Sequence, residues 1–240
     1  MEFYLDTANL ESIKKINDFY PIKGVTTNPS IISKEKKDFR DIIENILVLI
    51  GKEKYLHIQT ISKEFENIVK EAELIISTFG NNIYIKIPVT SEGVKAMKYL
   101  SSNGFKITAT GILSPQQIIM AAELGAEYMA PYINRSDNIG ESGIEIIKDA
   151  FNILEKNKKT SSEVIKKFNR EFEPKIFGAS FKNVRQVHEA MLAGAKAVTI
   201  GTDIFEQLIY HQYTDWSIDK FDCDWSEIYG NKTLLDILSK

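Results

Sequence analysis

Eight short apolar strand patterns, helix-period segments between them, and a first strand with no glycine-rich loop after it predict an α/β fold, a single (β/α)8 TIM barrel with an additional C-terminal helix. Strand–helix alternation implies a parallel sheet with right-handed crossovers, and 240 residues suit a closed barrel, which commonly runs to about 250. An open doubly wound sheet is the rival. It prefers a phosphate-binding Gly-rich loop where this chain reads Leu5-Asp6-Thr7-Ala8-Asn9. The expected organisation is one domain over residues 1–240, with the barrel in 1–212 and a helical tail in 213–240.

The elements follow in order. Strand one, over 2–7, sets Phe3 and Leu5 against Tyr4 and Asp6; strand two, over 24–27, gives Thr26 and Asn28 one parity. Strand three, over 55–61, sets Leu56 and Ile58 against His57 and Gln59, and strand four, over 83–89, sets Ile83, Ile85 and Ile87 against Tyr84 and Lys86. Pro88 lacks an N–H, so strand four should end just after Lys86. A helix over 92–100 carries Val94, Met97 and Leu100 at helical spacing, and Gly104 stops it. Strand five, over 106–112, sets Ile107 and Ala109 against Thr108 and Thr110. Ser114-Pro115 opens a helix over 114–124 that Gly125 closes. Strand six, over 127–133, sets Met129 and Ile133 against Tyr128, Ala130, Tyr132 and Asn134. The stretch 156–173 places Val164, Ile165, Phe168 and Phe172 as an extra amphipathic helix. Strand seven, over 175–181, ends with Gly178 and Ser180 on one parity, and strand eight covers 197–201. In the tail, Phe221, Trp225, Ile228 and Tyr229 make an apolar helical face, for the barrel's own base or for a partner subunit.

Lys86 is the residue that asks for a function. Inside a strand buried on both faces its ammonium would be expensive without a partner, and lowering a lysine pKa from ~10.4 to ~7.4 costs about 4 kcal/mol. Proteins keep such a group where the neutral amine is used, as a Schiff-base nucleophile or general base. On an edge strand it would instead stand in water.

Parity widens the case. Barrel strands point alternate side chains into the lumen and build sites at their C-terminal ends. Asp6, Asn28, Gln59, Lys86, Thr110, Tyr132 and Ser180 are then inward-facing polar groups at seven successive strand ends, where a purely structural core would use Val, Ile or Leu. An amine, a carboxylate, a phenol, amides and hydroxyls suit imine chemistry on a hydroxylated carbonyl compound. His57, His188 and His211 lack a serine nucleophile partner, and no His/Glu pair shows metal-ligand spacing. Arg135, one of only four arginines, follows strand six and with Ser180 could hold a phosphate.

Bulk composition narrows the class. Hydrophobic content of 43% and charged content of 26% are those of an ordinary globular protein, and a net charge of −3 without a basic–aromatic run argues against nucleic acid. Cys223, the single cysteine, excludes an intrachain disulfide and a cysteine-based zinc site. The apolar run Ile46-Leu47-Val48-Leu49-Ile50 is too short to span a membrane, and no secretory signal is visible, so a cytoplasmic protein is expected.

Phe3-Tyr4-Leu5-Asp6-Thr7-Ala8, Gly24-Val25-Thr26-Thr27-Asn28-Pro29-Ser30-Ile31-Ile32, Ile85-Lys86-Ile87-Pro88-Val89-Thr90, Ala130-Pro131-Tyr132-Ile133-Asn134-Arg135 and Ala179-Ser180-Phe181-Lys182 resemble the small-barrel transaldolase family, and within it the fructose-6-phosphate aldolase branch. The resemblance implies a class I aldol mechanism on a ketose phosphate, with no metal and no cofactor. It implies that Lys86 attacks the C2 carbonyl, that Asp6 positions the lysine and assists proton transfer, and that Thr26 and Asn28 bind the dihydroxyacetone end. Thr110 and Gln59 would hold a water that serves Tyr132 as acid/base, and Asn134, Arg135 and Ser180 would bind the rest of the substrate, phosphate included. Glutamine at 59 with tyrosine at 132 is the aldolase wording, whereas transaldolases carry glutamate and phenylalanine there. The implied activity is therefore reversible cleavage of fructose 6-phosphate to dihydroxyacetone and glyceraldehyde 3-phosphate. The alternatives are transfer of the dihydroxyacetone unit between sugar phosphates, as in the pentose phosphate pathway, and a catalytically inactive sugar-phosphate-binding barrel. The Thr110-Gly111-Ile112 segment departs from the commonest family wording. Related barrels form pentamers or decamers through their C-terminal helices, which implies a homo-oligomer.

Overall fold

A computed structural model describes residues 1–156 and 173–239. Its eight strands close into one parallel barrel in chain order. They are β1 (Glu2–Asp6), β2 (Ile22–Thr26), β3 (Tyr55–Gln59), β4 (Ile83–Pro88), β5 (Ile107–Ile112), β6 (Tyr128–Pro131), β7 (Lys175–Gly178) and β8 (Ala197–Ile200). Closure comes from β8 pairing back on β1, with Glu2 opposite Ala197 and Leu5 opposite Ile200. The open-sheet alternative is thereby excluded, and none of these eight strands has a free edge.

Around the strands run α1 (Leu10–Phe19), α2 (Pro29–Lys34), α3 (Phe39–Ile50), α4 (Phe65–Phe79), α5 (Ser91–Ser102), α6 (Pro115–Glu123), α7 (Ile133–Asn138), α8 (Gly143–Lys156), α9 (Val184–Leu192) and α10 (Thr202–Gln207). Short polar side chains start many of them: Asn9, Asn28, Asp38, Thr90, Ser114 and Asn183 each accept a first-turn backbone N–H. The helices then bury one stripe, as α3 does with Ile42, Ile43, Ile46 and Ile50.

Three strand ends differ from expectation. β4 continues through Pro88, because the Val89 N–H donates to the Thr110 carbonyl on the β5 side, whereas pairing with β3 ends at Gln59 opposite Lys86. The missing Pro88 N–H therefore faces a position where no ladder bond is due. β6 stops at Pro131 and the chain turns into α7, so Asn134 and Arg135 stand on a helix. β7 stops at Gly178, and its lumen residues are Phe177 and Ala179. Ser180 therefore has the outward parity, contrary to expectation. It reaches the mouth because its backbone turns into the left-handed region, with φ at +64°. The extra helix expected over 156–173, with Val164, Ile165, Phe168 and Phe172, lies outside the described residues apart from its two ends.

The lumen is aromatic at its N-terminal end. Tyr4, Tyr84, Tyr128 and Phe177 fill it, all buried. The three tyrosine hydroxyls run outward to that end: Tyr4 donates to Tyr128 at 2.9 Å, Tyr128 to Glu2 at 2.7 Å, and Tyr84 to Glu127 at 2.6 Å. Lys175 neutralises the two carboxylates, 3.0 Å from Glu2 and 3.8 Å from Glu127. Burial, with the carboxylates adding to it, pushes the phenol pKa values of Tyr4 and Tyr84 upward, so these hydroxyls stay protonated donors.

Chain contacts divide the molecule into two units, Met1–Phe205 and Glu206–Lys240. The second unit contains α11 (Gln212–Tyr229) and α12 (Leu234–Leu238). Within it, the Trp225 and Tyr229 rings, one turn apart, lie 4.4 Å from each other with a 30° tilt, and the Trp225 indole N–H donates to the Lys232 carbonyl at 2.6 Å. Thr233 and Asp236 form a reciprocal capping box at the start of α12.

Candidate active site

The C-terminal strand ends open on a cavity of about 420 Å³, bordered by Asp6, Asn28, Lys86, Tyr132, Arg135 and Ser180. Six residues foreseen as inward-facing or phosphate-binding thus meet at one mouth. Lys86 is only 4% exposed, and its Nζ donates to the Thr27 carbonyl at 3.3 Å. With β4 flanked by β3 and β5 in a closed barrel, the solvated-edge reading of this lysine does not hold.

Asp6 is held from behind. The Thr26 hydroxyl donates to Asp6 Oδ1 at 2.6 Å, and the Thr199 hydroxyl in turn lies 2.5 Å from Thr26 Oγ1. Register explains the arrangement, since Asp6 stands opposite Thr26 on β2, and Thr199 faces Tyr4 on β8. Thr26 does not border the cavity; it is buried and orients the carboxylate. Asn28 accepts from Ile31 N at 3.0 Å as the cap of α2, so its amide nitrogen is left for a ligand.

On the far side, Thr110 Oγ1 and Tyr132 Oη lie 3.0 Å apart. Gly111 makes this pair possible. Its φ of +69° permits a bulge that shifts the register between Ala109 and Ile112 and aims Thr110 at Tyr132. The Arg135 guanidinium lies 4.4 Å from the Tyr132 ring centre. Asn134 touches Ser180 through its backbone, donating its N–H to the Ser180 carbonyl at 3.0 Å, and does not border the cavity. Gln59 pairs in register with Lys86 and borders a neighbouring cavity of about 520 Å³, with its Oε1 buried and unbonded among the described residues.

Lys34, Lys182, Thr199 and Asp203 also border the mouth and were given no role from the sequence. Thr199 was within reach: it shares parity with Ala197, and the rule used for the other strands finds it. Lys34, at the end of α2, and Asp203, in the first turn of α10, belong to short helices that sequence spacing could not aim at the barrel axis. Lys34, Lys86, Arg135 and Lys182 outnumber Asp6 and Asp203, so the mouth is cationic in a chain of net charge −3. That balance suits a phosphorylated ligand.

Beneath Lys86 lies His57, fully buried, stacked on Tyr84 at 4.7 Å and edge-on to Tyr4 at 4.8 Å. Burial, aided by the Lys86 ammonium, holds its pKa well below the usual histidine value. Above pH ~6.5 the ring is neutral in both folded and unfolded chains, and its contribution to stability is complete. Below that, the unfolded chain takes up a proton that the folded one refuses, so stability falls by up to about 1.4 kcal/mol per pH unit until the folded pKa is reached. Thermal melts from pH 7 to pH 5 are expected to show a steeper loss for the unmodified protein than for His57→Phe; equal slopes would refute the assignment.

Among the described residues, no group of three or more His, Cys, Asp or Glu is placed to hold a metal ion, and no helix is long and apolar enough to cross a membrane.

Comparison with known proteins finds similar sequences and similar folds. The family model described as transaldolase/fructose-6-phosphate aldolase matches residues 3–232. A protein of Streptococcus pneumoniae named "Probable fructose-6-phosphate aldolase" is 39% identical over 235 residues, covering 98% of this chain and all of its own. One of Agathobacter rectalis named "Probable transaldolase" is 38% identical over 231 residues, covering 96% of this chain and all of its own. Among solved structures, a flavocytochrome b2 double mutant superposes with a TM-score of 0.57 at 13% identity, over 84% of this chain and 57% of that one. The thiamine phosphate pyrophosphorylase of Pyrococcus furiosus gives 0.56 at 9% identity, over 84% and 85%. At such identities these two likenesses concern the barrel alone.

Proposed function

The chain belongs to the transaldolase/fructose-6-phosphate aldolase family, and from that membership we propose that it is a class I aldolase cleaving fructose 6-phosphate reversibly to dihydroxyacetone and glyceraldehyde 3-phosphate. The observation that carries this reading is the buried Lys86 amine, set in a cationic mouth with Asp6 on one side and Tyr132 on the other.

Lys86 Nζ attacks C2 of the ketose, and loss of water from the carbinolamine leaves an iminium that draws electrons from C3. Asp6, oriented by Thr26, accepts and returns the protons of these steps. Tyr132, acting with a water, takes the C4 hydroxyl proton as the C3–C4 bond breaks. Glyceraldehyde 3-phosphate leaves, and the enamine is protonated at C3. Water then hydrolyses the iminium, freeing dihydroxyacetone and the amine. Arg135, Ser180 and Lys182 receive the phosphate, and Asn28 a hydroxyl of the dihydroxyacetone end.

Transfer to a second aldose is the other reading, and one similar protein bears that name. Gln59 and Tyr132 favour cleavage, because an amide can only orient water where a carboxylate can take a proton. Incubation with dihydroxyacetone and borohydride, followed by peptide mass mapping, should place a reduced adduct on Lys86. Its absence sinks the aldolase reading, and saturable sugar-phosphate binding without it points to an inactive barrel. Turnover of fructose 6-phosphate only when erythrose 4-phosphate is present would decide for transfer.

Phe221, Trp225, Ile228 and Tyr229 on α11 and the family resemblance support a cytoplasmic homo-oligomer assembled through the tail. A monomeric mass by light scattering would overturn that assembly.

A further inference from the structure

His57 and Gln59 leave the same face of β3, two residues apart. His57 Nε2 and Gln59 Oε1 are both buried, and neither has a hydrogen-bond partner among the described residues. An unbonded buried polar atom costs about 1–3 kcal/mol. Two on one strand face call for an explanation. Packing does not supply one, since an aromatic hydrocarbon would fill the cage formed by Tyr4, Tyr84, Tyr128 and Phe177 without that cost.

The two atoms are complementary. Thr108 Oγ1 lies 2.8 Å from His57 Nδ1, and that ring is the hydroxyl's partner. A hydroxyl hydrogen inside the lumen goes to an acceptor, so Thr108 donates to Nδ1. The ring is held neutral by burial and has a single N–H, which then sits on Nε2. A donor at His57 therefore leaves the same face of β3 as an acceptor at Gln59. Two strand rises separate the residues by roughly 6.6 Å. One water with two bonds of about 2.8 Å matches that spacing for two side chains that leave one strand face in parallel.

We propose that His57 is a positioning residue for Gln59: its Nε2–H, through one buried water, holds Gln59 Oε1 toward the barrel floor and turns the Gln59 NH2 group toward the mouth. The inference rests on the aldolase reading for its consequence. An amide turned this way donates to the water that serves Tyr132, leaving that water's hydrogens for Tyr132 and for C3. The flipped amide would capture one of those hydrogens and slow protonation of the enamine. Thr108 acts one step further back, by fixing which ring nitrogen carries the proton.

Three variants and one spectrum test it. In His57→Phe, kcat for fructose 6-phosphate cleavage is expected to fall about tenfold, with KM within about twofold and the borohydride adduct on Lys86 undiminished. His57→Gln places an amide N–H near the Nε2 position and should recover most of kcat. Thr108→Val leaves the imidazole in place but frees its tautomer, and should lose kcat in the same direction. Nitrogen-15 NMR of histidine-labelled protein, with His57 assigned by its loss in a variant, should show the Nε2–H tautomer. An Nδ1–H tautomer overturns the proposal, as does unchanged kcat in His57→Phe. So does a His57→Gln no better than His57→Phe, which would make the ring mere packing. Loss of the adduct in a folded His57→Phe would place its action on the lysine instead and also refute it. If His57→Phe does not fold, Thr108→Val and the tautomer decide. Should the unmodified protein form no adduct, the aldolase reading fails, and the tautomer still reports on His57 by itself.

Discussion

Lys86→Met is expected to abolish cleavage, by at least about 10⁴-fold, and to leave the protein as stable as before or more so. The first half follows from covalent catalysis, because a thioether cannot form the iminium and, among the described residues, no other buried amine borders the cavity to replace it. Lys34 and Lys182 border the same cavity but stand on solvent-exposed helical and loop positions at the rim. The second half follows from burial. Lys86 is 4% exposed and makes a 3.3 Å bond to a carbonyl, and among the described residues no carboxylate forms an ion pair with it. Methionine has a similar length and shape and needs no hydration, so the exchange should gain up to about 2 kcal/mol. For a chain of this size that is a rise of roughly 4–8 °C in Tm. Calorimetry of the variant beside the borohydride assay checks both halves. A variant that loses activity together with several degrees of Tm would mean that Lys86 supports the fold through contacts that favour its charge.

Tyr132→Phe should lower kcat for cleavage by about 10²- to 10³-fold while KM and the Lys86 adduct persist. The hydroxyl lies 3.0 Å from Thr110 Oγ1, and the ring carries the Arg135 guanidinium at 4.4 Å on its face. Phenylalanine keeps that face, so phosphate binding survives while proton transfer is lost. Steady-state kinetics and adduct mapping separate the two. A matched loss in KM, or disappearance of the adduct, would assign Tyr132 to binding rather than to the proton.

The barrel and most of the mouth were legible because strand periodicity is short-ranged and strict. Asp6, Lys86, Thr110 and Tyr132 followed from which neighbours were apolar, and closure followed from the number of strand–helix units. What escaped depends on where a strand ends. Tyr132 and Ile133 read as the end of strand six, yet the strand stops at Pro131, Tyr132 keeps only an isolated bridge to Ala179, and α7 begins at Ile133. Ser180 was placed in the mouth by a parity that β7 does not have; a positive φ, which no side-chain pattern announces, brings it there. Thr199 was passed over because Val198-Thr199-Ile200 looks like any β-branched strand. His57 was dismissed for lacking a serine, when its meaning lies in Thr108 on a strand fifty residues later.

The tyrosine–carboxylate floor carries a kinetic consequence. With Tyr4, Tyr84, Tyr128 and Phe177 closing the lumen below and Glu2, Glu127 and Lys175 locking them, the mouth is the doorway to Lys86. On the aldolase reading, the half of the substrate tethered to the lysine lies deeper than the phosphorylated half held at the rim. Departure is therefore ordered, with the aldehyde first and dihydroxyacetone last. Between those events the enamine waits behind an open door, where a proton and a second aldehyde compete for it. Whether the enzyme behaves as a lyase or a transferase is then the outcome of that race, set by aldehyde concentration against the speed of protonation.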